Sequence, residues 1–226
     1  EVMATADRIV VLRGGRLVAE RKATDTSKAE LAELMVGRAV HRPVRDAATP
    51  GETVLEAVGV TVRQDGVDRL KAVDFHLRAG EVLGIIGVSG NGQTVLAQLL
   101  SGTAKRSAGD LVLYGHAIGD LTVADAVEAG IGRIPEDRNR EGAIGEMAIW
   151  ENAVLERVQH FSSHGLVDRK AGIAFAKRII EGFDVRGGTP QSRIRLLSGG
   201  NMQKLILGRN LIERPRILLA AQPARG

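Results

Sequence analysis

The stretch Gly87-Val88-Ser89-Gly90-Asn91-Gly92-Gln93-Thr94 has glycines at its first, fourth and sixth positions and a hydroxyl at its last. Glycines so spaced let backbone N–H groups turn inward around an anion, and a helix starting behind them adds the favourable end of its dipole. The pattern G-x-x-x-x-G-K-[ST] is met at every fixed position except the lysine, where Gln93 stands. Gln93 can donate a hydrogen bond to a phosphate oxygen but brings no charge, and hydrogen bonds from charged donors are roughly twice as strong. Thr94 keeps a hydroxyl able to ligate Mg²⁺. Farther on, Leu197-Ser198-Gly199-Gly200-Asn201 places a serine and two glycines at the start of a helical pattern. That is a second phosphate-sized nest, and taken alone it reads equally well as a capped helix. Near the end of the chain, the apolar run Ile217-Leu218-Leu219 leads into Ala220-Ala221-Gln222-Pro223. A buried strand serving nucleotide hydrolysis usually ends in acids, and here there are none.

These residues need elements to hold them. The run VLGIIG before the first glycine loop is continuously apolar, which predicts a strand buried on both faces in a parallel sheet. Before it, VLEAVGVTV and LKAVDFHL read as strands joined at QDG. Helical spacing recurs at TVLAQLLSG, VADAVEAG, WENAVLERVQHF, RKAGIAFAKRIIEGF and SGGNMQKLILGRNLI. Strands alternating with helices indicate an α/β domain. At the other end, residues 1–7 begin in mid-pattern without a cap. RIVVL and LVAE then read as a hairpin closed by glycines, and Thr26 to Glu30 resembles a capping box opening a helix that stops at Gly37. Residues 38–53 carry two prolines and no periodicity, as a linker would.

Composition narrows the class. The chain has 226 residues, 44% apolar and 26% charged, enough for a packed core under a soluble surface. Aromatics make up 3%, which argues against a stacking platform for single-stranded nucleic acid, and the net charge of +4 is dispersed rather than gathered into a polyanion patch. There is no cysteine, so neither a disulfide nor a thiolate metal site is available, and the five histidines lack ligand spacing. No apolar run approaches the ~20 residues of a membrane-spanning helix, and no signal peptide opens the chain, so a cytoplasmic placement is expected.

The three motifs in this order resemble the nucleotide-binding domains of ABC transporters. LSGGN is similar to that family's signature motif, GVSGNGQT stands at its Walker A loop, and ILLAAQP stands where its Walker B strand ends in Asp-Glu-Pro. IGRIPEDRNREGAI looks like the Q-loop region of the second domain in tandem sugar and nucleoside importers, with Glu136 at the usual glutamine's position. Ala-Ala-Gln-Pro resembles the nucleoside-type importers more than the ribose or galactose type.

The resemblance implies a P-loop NTPase fold of the ABC ATPase kind, α/β, with an antiparallel β subdomain and a helical subdomain, cut after Walker B. Residues 1–37 would be the tail of a first nucleotide-binding domain, 38–53 a linker, and 54–226 an incomplete, degenerate second domain. ATP and Mg²⁺ are the implied cofactors. Gly87, Ser89, Gly90, Asn91, Gly92, Gln93, Thr94, Glu136, Ser198, Gly199, Gly200 and Asn201 are the implied nucleotide-binding positions, with Thr94 toward the metal. Gln222 occupies the catalytic glutamate's position and Ala221 that of the magnesium-associated aspartate. An alanine cannot organise Mg²⁺, and an amide cannot take a proton from water. The usual adenine-stacking aromatic is absent from Thr61-Val62-Arg63, leaving Arg63 as the group available to the base. The implied partners are the other nucleotide-binding domain, transmembrane permease subunits and, through them, a solute-binding protein, with no nucleic acid. The implied location is the inner face of the cell membrane.

Overall fold

The computed structural model describes residues 2–38, 48–88 and 90–223. Its residues group into two compact units, 1–48 and 49–226. In the first, α1 (Val2–Thr5) precedes an antiparallel hairpin of β1 (Arg8–Arg13) and β2 (Arg16–Lys22), and α2 (Lys28–Val36) follows. Alternation drives the hairpin: Ile9, Val11 and Ala19 turn inward, where Leu31 and Leu34 of α2 pack on them. Half of the expected capping box forms. Ser27 Oγ accepts from Glu30 N, but the Glu30 carboxylate accepts from Arg21 and Thr26 instead of reaching back. The Arg21 guanidinium beside it holds that carboxyl below its ordinary range.

The second unit opens with the antiparallel sheet β4-β3-β5-β6, built from β3 (Thr53–Gln64), β4 (Val67–Arg78), β5 (Ala108–Leu113) and β6 (His116–Ile118). Leu55 and Ala57, then Val60 and Val62, face inward, the change of phase falling at a bulge between Ala57 and Val60. Against this face pack Leu96, Leu99 and Leu100 of α3 (Gln93–Leu100) and Ala126 of α4 (Val123–Glu128). The same core takes in Ile131 of β7 (Ile131–Ile134) and Ile217 of β10 (Ile217–Ala220), which form a two-stranded parallel pair. A second core is helical. It joins α5 (Ile149–Val154), α6 (Arg169–Gly182) and α7 (Gly199–Leu211) through Ile149, Ile179, Leu205 and Ile206, each at most 1% exposed. A 3-10 stretch over Leu155–Phe161 and the short hairpin of β8 (Ser162–Ser163) and β9 (Leu166–Val167) link α5 to α6.

One expectation fails. Residues 82–87 form no strand, and Val82 and Ile86 are 74% and 96% exposed. A strand exists only where its N–H and C=O groups find a ladder. The described parallel ladder joins β7 to β10 alone, and the apolar run pairs with neither. No described helix is long and apolar enough to cross a membrane.

Candidate functional site

Hairpin and helix position the first glycine loop. Gly92 is buried and caps α3 with φ of 100°, and a Cβ there would stand 2.8 Å from Leu70 Cδ2 and 2.9 Å from Arg69 O. Only glycine meets both conditions, the left-handed backbone and the close approach to β4. Gly90 is also left-handed, with φ of 91°, and between the two glycines Asn91 N donates to Val88 O at 3.1 Å. Gln93, in the lysine's place, does not reach outward. Its Nε2 lies against Gly87 and donates to Val88 O at 3.4 Å. Thr94 is exposed on the first turn of α3. Ser89 lies outside the described residues.

On the same hairpin Arg63 is committed to Asp68, with Nε at 2.6 Å from Oδ1 and Nη2 at 3.0 Å from Oδ2. The guanidinium holds the Asp68 carboxyl below its ordinary range. Arg63 is therefore one half of a charge-neutral pair rather than a free cation available to a base.

The ends of β7 and β10 bring two candidate residues together. The strands run parallel with Ile134 beside Ala220, and Ala221 N continues the ladder to Ile134 O at 2.9 Å. Two residues past each strand, Gln222 Nε2 donates to Glu136 Oε1 at 2.9 Å, and both side chains are exposed. Gln222 has φ of 46°, a left-handed backbone that costs a non-glycine residue of order 1–2 kcal/mol and concentrates at functional sites. This is the carboxyl end of a parallel pair, where α/β sheets place their ligands. Behind Glu136, Asp137 caps a π-helical turn over Arg138–Gly142, and Glu141 pairs with Arg133 rather than facing solvent alone. Oxygen ligands for a divalent cation are few. Residue 221 offers a methyl group, and among the described residues no three acidic or histidine side chains converge. Glu136 and Gln222 alone supply too few oxygen ligands to hold Mg²⁺.

The serine-glycine turn is built more firmly. Ser198 caps the thirteen-residue α7, and its Oγ accepts from Asn201 Nδ2 at 2.9 Å and from Asn201 N at 3.4 Å. Asn201 Oδ1 in turn accepts from Arg186 N at 2.8 Å. Beside Gly199 stands the Arg138 guanidinium, on the wall of an open cavity of about 380 Å³. A Cβ on Gly200 would meet nothing within 4 Å. A glycine in a helix costs about 1 kcal/mol relative to alanine, and nothing among the described residues requires one at this position.

The structure thus joins Glu136 to Gln222 and Ser198 to Asn201, and seats the first glycine loop on the β3–β4 hairpin. None of these contacts links the loop to the other two groups. Sequence reasoning missed the anchors of α7. Arg209, 4% exposed, donates through Nη1 to Asn152 O and through Nη2 to Glu156 Oε1 at 2.5 Å. Asn210 Oδ1 accepts from Arg133 N of β7 at 2.9 Å. Gln203 Nε2 donates to Pro223 O just past β10, at 3.2 Å. A signal for the first was present, because Met202, Leu205, Ile206 and Arg209 share one helical stripe, which puts the arginine on the buried face.

The family model described as ABC transporter matches residues 70–225. The glucose import ATP-binding protein TsgD13 of Haloferax volcanii is 42% identical over 100% of this chain and 42% of its own length. The guanosine import ATP-binding protein NupO of Bacillus subtilis is 38% identical over 97% of the chain and 44% of its own length, and the nucleoside import ATP-binding protein NupA of Lactococcus lactis is 36% identical over 100% and 46%. The chain spans less than half the length of each. Among solved structures, a dimeric ATP-binding cassette in a post-hydrolysis state with ADP and Pi aligns at a TM-score of 0.60 and 22% identity, covering 76% of this chain and 75% of that one. A nucleotide-free cassette aligns at 0.60 and 20%, covering 77% and 71%. These two likenesses establish the fold: a mixed α/β cassette with an antiparallel sheet and a helical region.

Proposed function

The chain belongs to the ABC transporter family, and from that premise we propose that it is part of the ATP-binding subunit of an importer for nucleosides or simple sugars. In this reading residues 54–226 are a degenerate second nucleotide-binding domain, 38–53 a linker, and 1–37 the tail of a first. The degenerate domain binds ATP at the loop from Gly87 to Thr94 and turns it over poorly. Its main contribution is Ser198-Gly199-Gly200, presented to the competent site of the partner domain. Permease subunits and, through them, a solute-binding protein complete the assembly at the inner face of the membrane.

The observation that carries this reading is Gly200, a helical glycine with open space around it, next to an exposed serine cap on a fully anchored helix. Such a turn suits a phosphate arriving from another molecule or domain, through its N–H groups and the helix dipole. The loop at 87–94 supports the other half, because it lacks the charged donor that stabilises a transferring phosphoryl group. In the full-length protein, Ser198→Arg should lower ATPase activity more than 100-fold and Gln93→Ala less than threefold. Equal losses would overturn the assignment.

A second reading, a scaffold that holds no nucleotide here, is favoured by the Gln93 amide folded onto Val88 within the loop. Equilibrium binding of ATP with Mg²⁺ to the full-length protein and to Gly92→Asp separates the two. An unchanged number of ATP sites with transport intact would favour the scaffold.

A further inference from the structure

The degenerate reading rests in part on residue 222, where an amide replaces an acid. The structure adds that an acid stands one hydrogen bond away. Glu136 and Gln222 each lie two residues beyond parallel, in-register strands, so they occupy equivalent places at the ends of adjacent strands, and Gln222 Nε2 donates to Glu136 Oε1 at 2.9 Å. We propose that the two positions have exchanged roles: Glu136 is the catalytic carboxylate of this half-site, and Gln222 is the positioning residue that holds it. The proposal rests on nucleotide occupying the half-site, as in the preceding section, and assigns the slow turnover there to a residue.

Three observations support the exchange. A carboxylate accepts a proton and an amide does not, so of the two only Glu136 can serve as a base. The amide donates to the carboxylate, which fixes its direction. Gln222 is itself held in a left-handed backbone, on a segment tied to α7 through Gln203 and Pro223 O, so the residue that orients Glu136 is not a free side chain on a loop. The step balances simply. A water oxygen bonds to the γ-phosphorus, the bond from that phosphorus to the β–γ bridging oxygen breaks with its electron pair leaving on ADP, and the proton shed by the water passes to the Glu136 carboxylate and then to solvent.

The test uses the full-length protein photolabelled with 8-azido-[α-³²P]ATP in Mg²⁺, with the nucleotide on peptides from residues 54–226 analysed as ATP or ADP. Glu136→Gln should bind the label at least as well as the unaltered protein and cut its conversion to ADP more than 30-fold. The exchange variant Glu136→Gln with Gln222→Glu should recover conversion to within about fivefold, which a purely structural role for Glu136 would not produce. Gln222→Ala should slow conversion by about five- to tenfold with binding unchanged. Conversion reduced less than threefold in Glu136→Gln, no recovery in the exchange variant, or labelled ATP that never converts would each overturn this inference while leaving nucleotide binding intact. No labelling of these peptides would overturn the binding reading itself, and this inference with it.

Discussion

The two glycine turns of this chain invite comparison, because both are nests at the start of a helix and they are supported very differently. The turn at Ser198 sits on a helix anchored on several sides: to the helical core through Leu205 and Ile206, to α5 and the segment after it through Arg209, to β7 through Asn210, and to the end of β10 through Gln203. The loop at Gly87 is fixed behind, where Gly92 presses on β4 and α3 packs on the sheet, but its leading run 82–87 is unpaired and exposed. A turn that must meet a partner's phosphate gains from arriving rigid. A loop that meets its own ligand can be completed by that ligand and by neighbouring strands. Under the proposed function, support follows the direction in which each nest would be used.

Substitutions can break or sharpen this contrast. The largest effect is expected at Arg209. Arg209→Ala removes a buried cation and strands Glu156, a loss of about 3 kcal/mol, read as a lower midpoint in urea unfolding with the helical region most affected by hydrogen exchange. An unchanged midpoint would mean α7 is not anchored as described. Next, Gly92→Ala forces a left-handed alanine against Leu70 and the Arg69 carbonyl, for about 2 kcal/mol of destabilisation, measured the same way and located at α3. Gly200→Ala should act in the opposite sense. With space around it the new methyl stabilises α7 by up to about 1 kcal/mol, while ATPase activity of the full-length protein falls at least tenfold. Parallel changes in stability and activity would remove the main support for a turn presented to a partner. The smallest effect is expected at the exposed run: Ile86→Ser should shift the stability of this segment by no more than about 0.5 kcal/mol. A loss of 2 kcal/mol or more would show that residues 82–87 are paired and buried in solution.

Much of this was legible in the sequence. Period-two and helical spacing located β3, β4, α3, α6 and α7, most plainly α3 and α6, whose buried residues fall on one apolar face. The run at 82–87 misled for a physical reason: apolar residues state what a segment prefers to touch, while pairing depends on a neighbour that a local window does not contain. The two glycine turns were legible as motifs, since glycine spacing is set by backbone geometry. Their mutual arrangement was not. The Glu136–Gln222 hydrogen bond joins residues far apart in sequence through the register of two strands, and no local pattern encodes that register.

The exposed run has a further consequence, in time. Residues 82–88 leave the ribosome long before β10 does, and no described strand up to residue 223 covers them. At about 5–20 residues per second, an adhesive strip containing Val82, Ile85, Ile86 and Val88 stays uncovered for at least on the order of ten seconds during synthesis. That interval is long enough for a holding chaperone to bind it or for a neighbouring nascent chain to add a strand to it. The yield of folded protein should therefore depend on the pace of translation through the second half of this segment as well as on its stability.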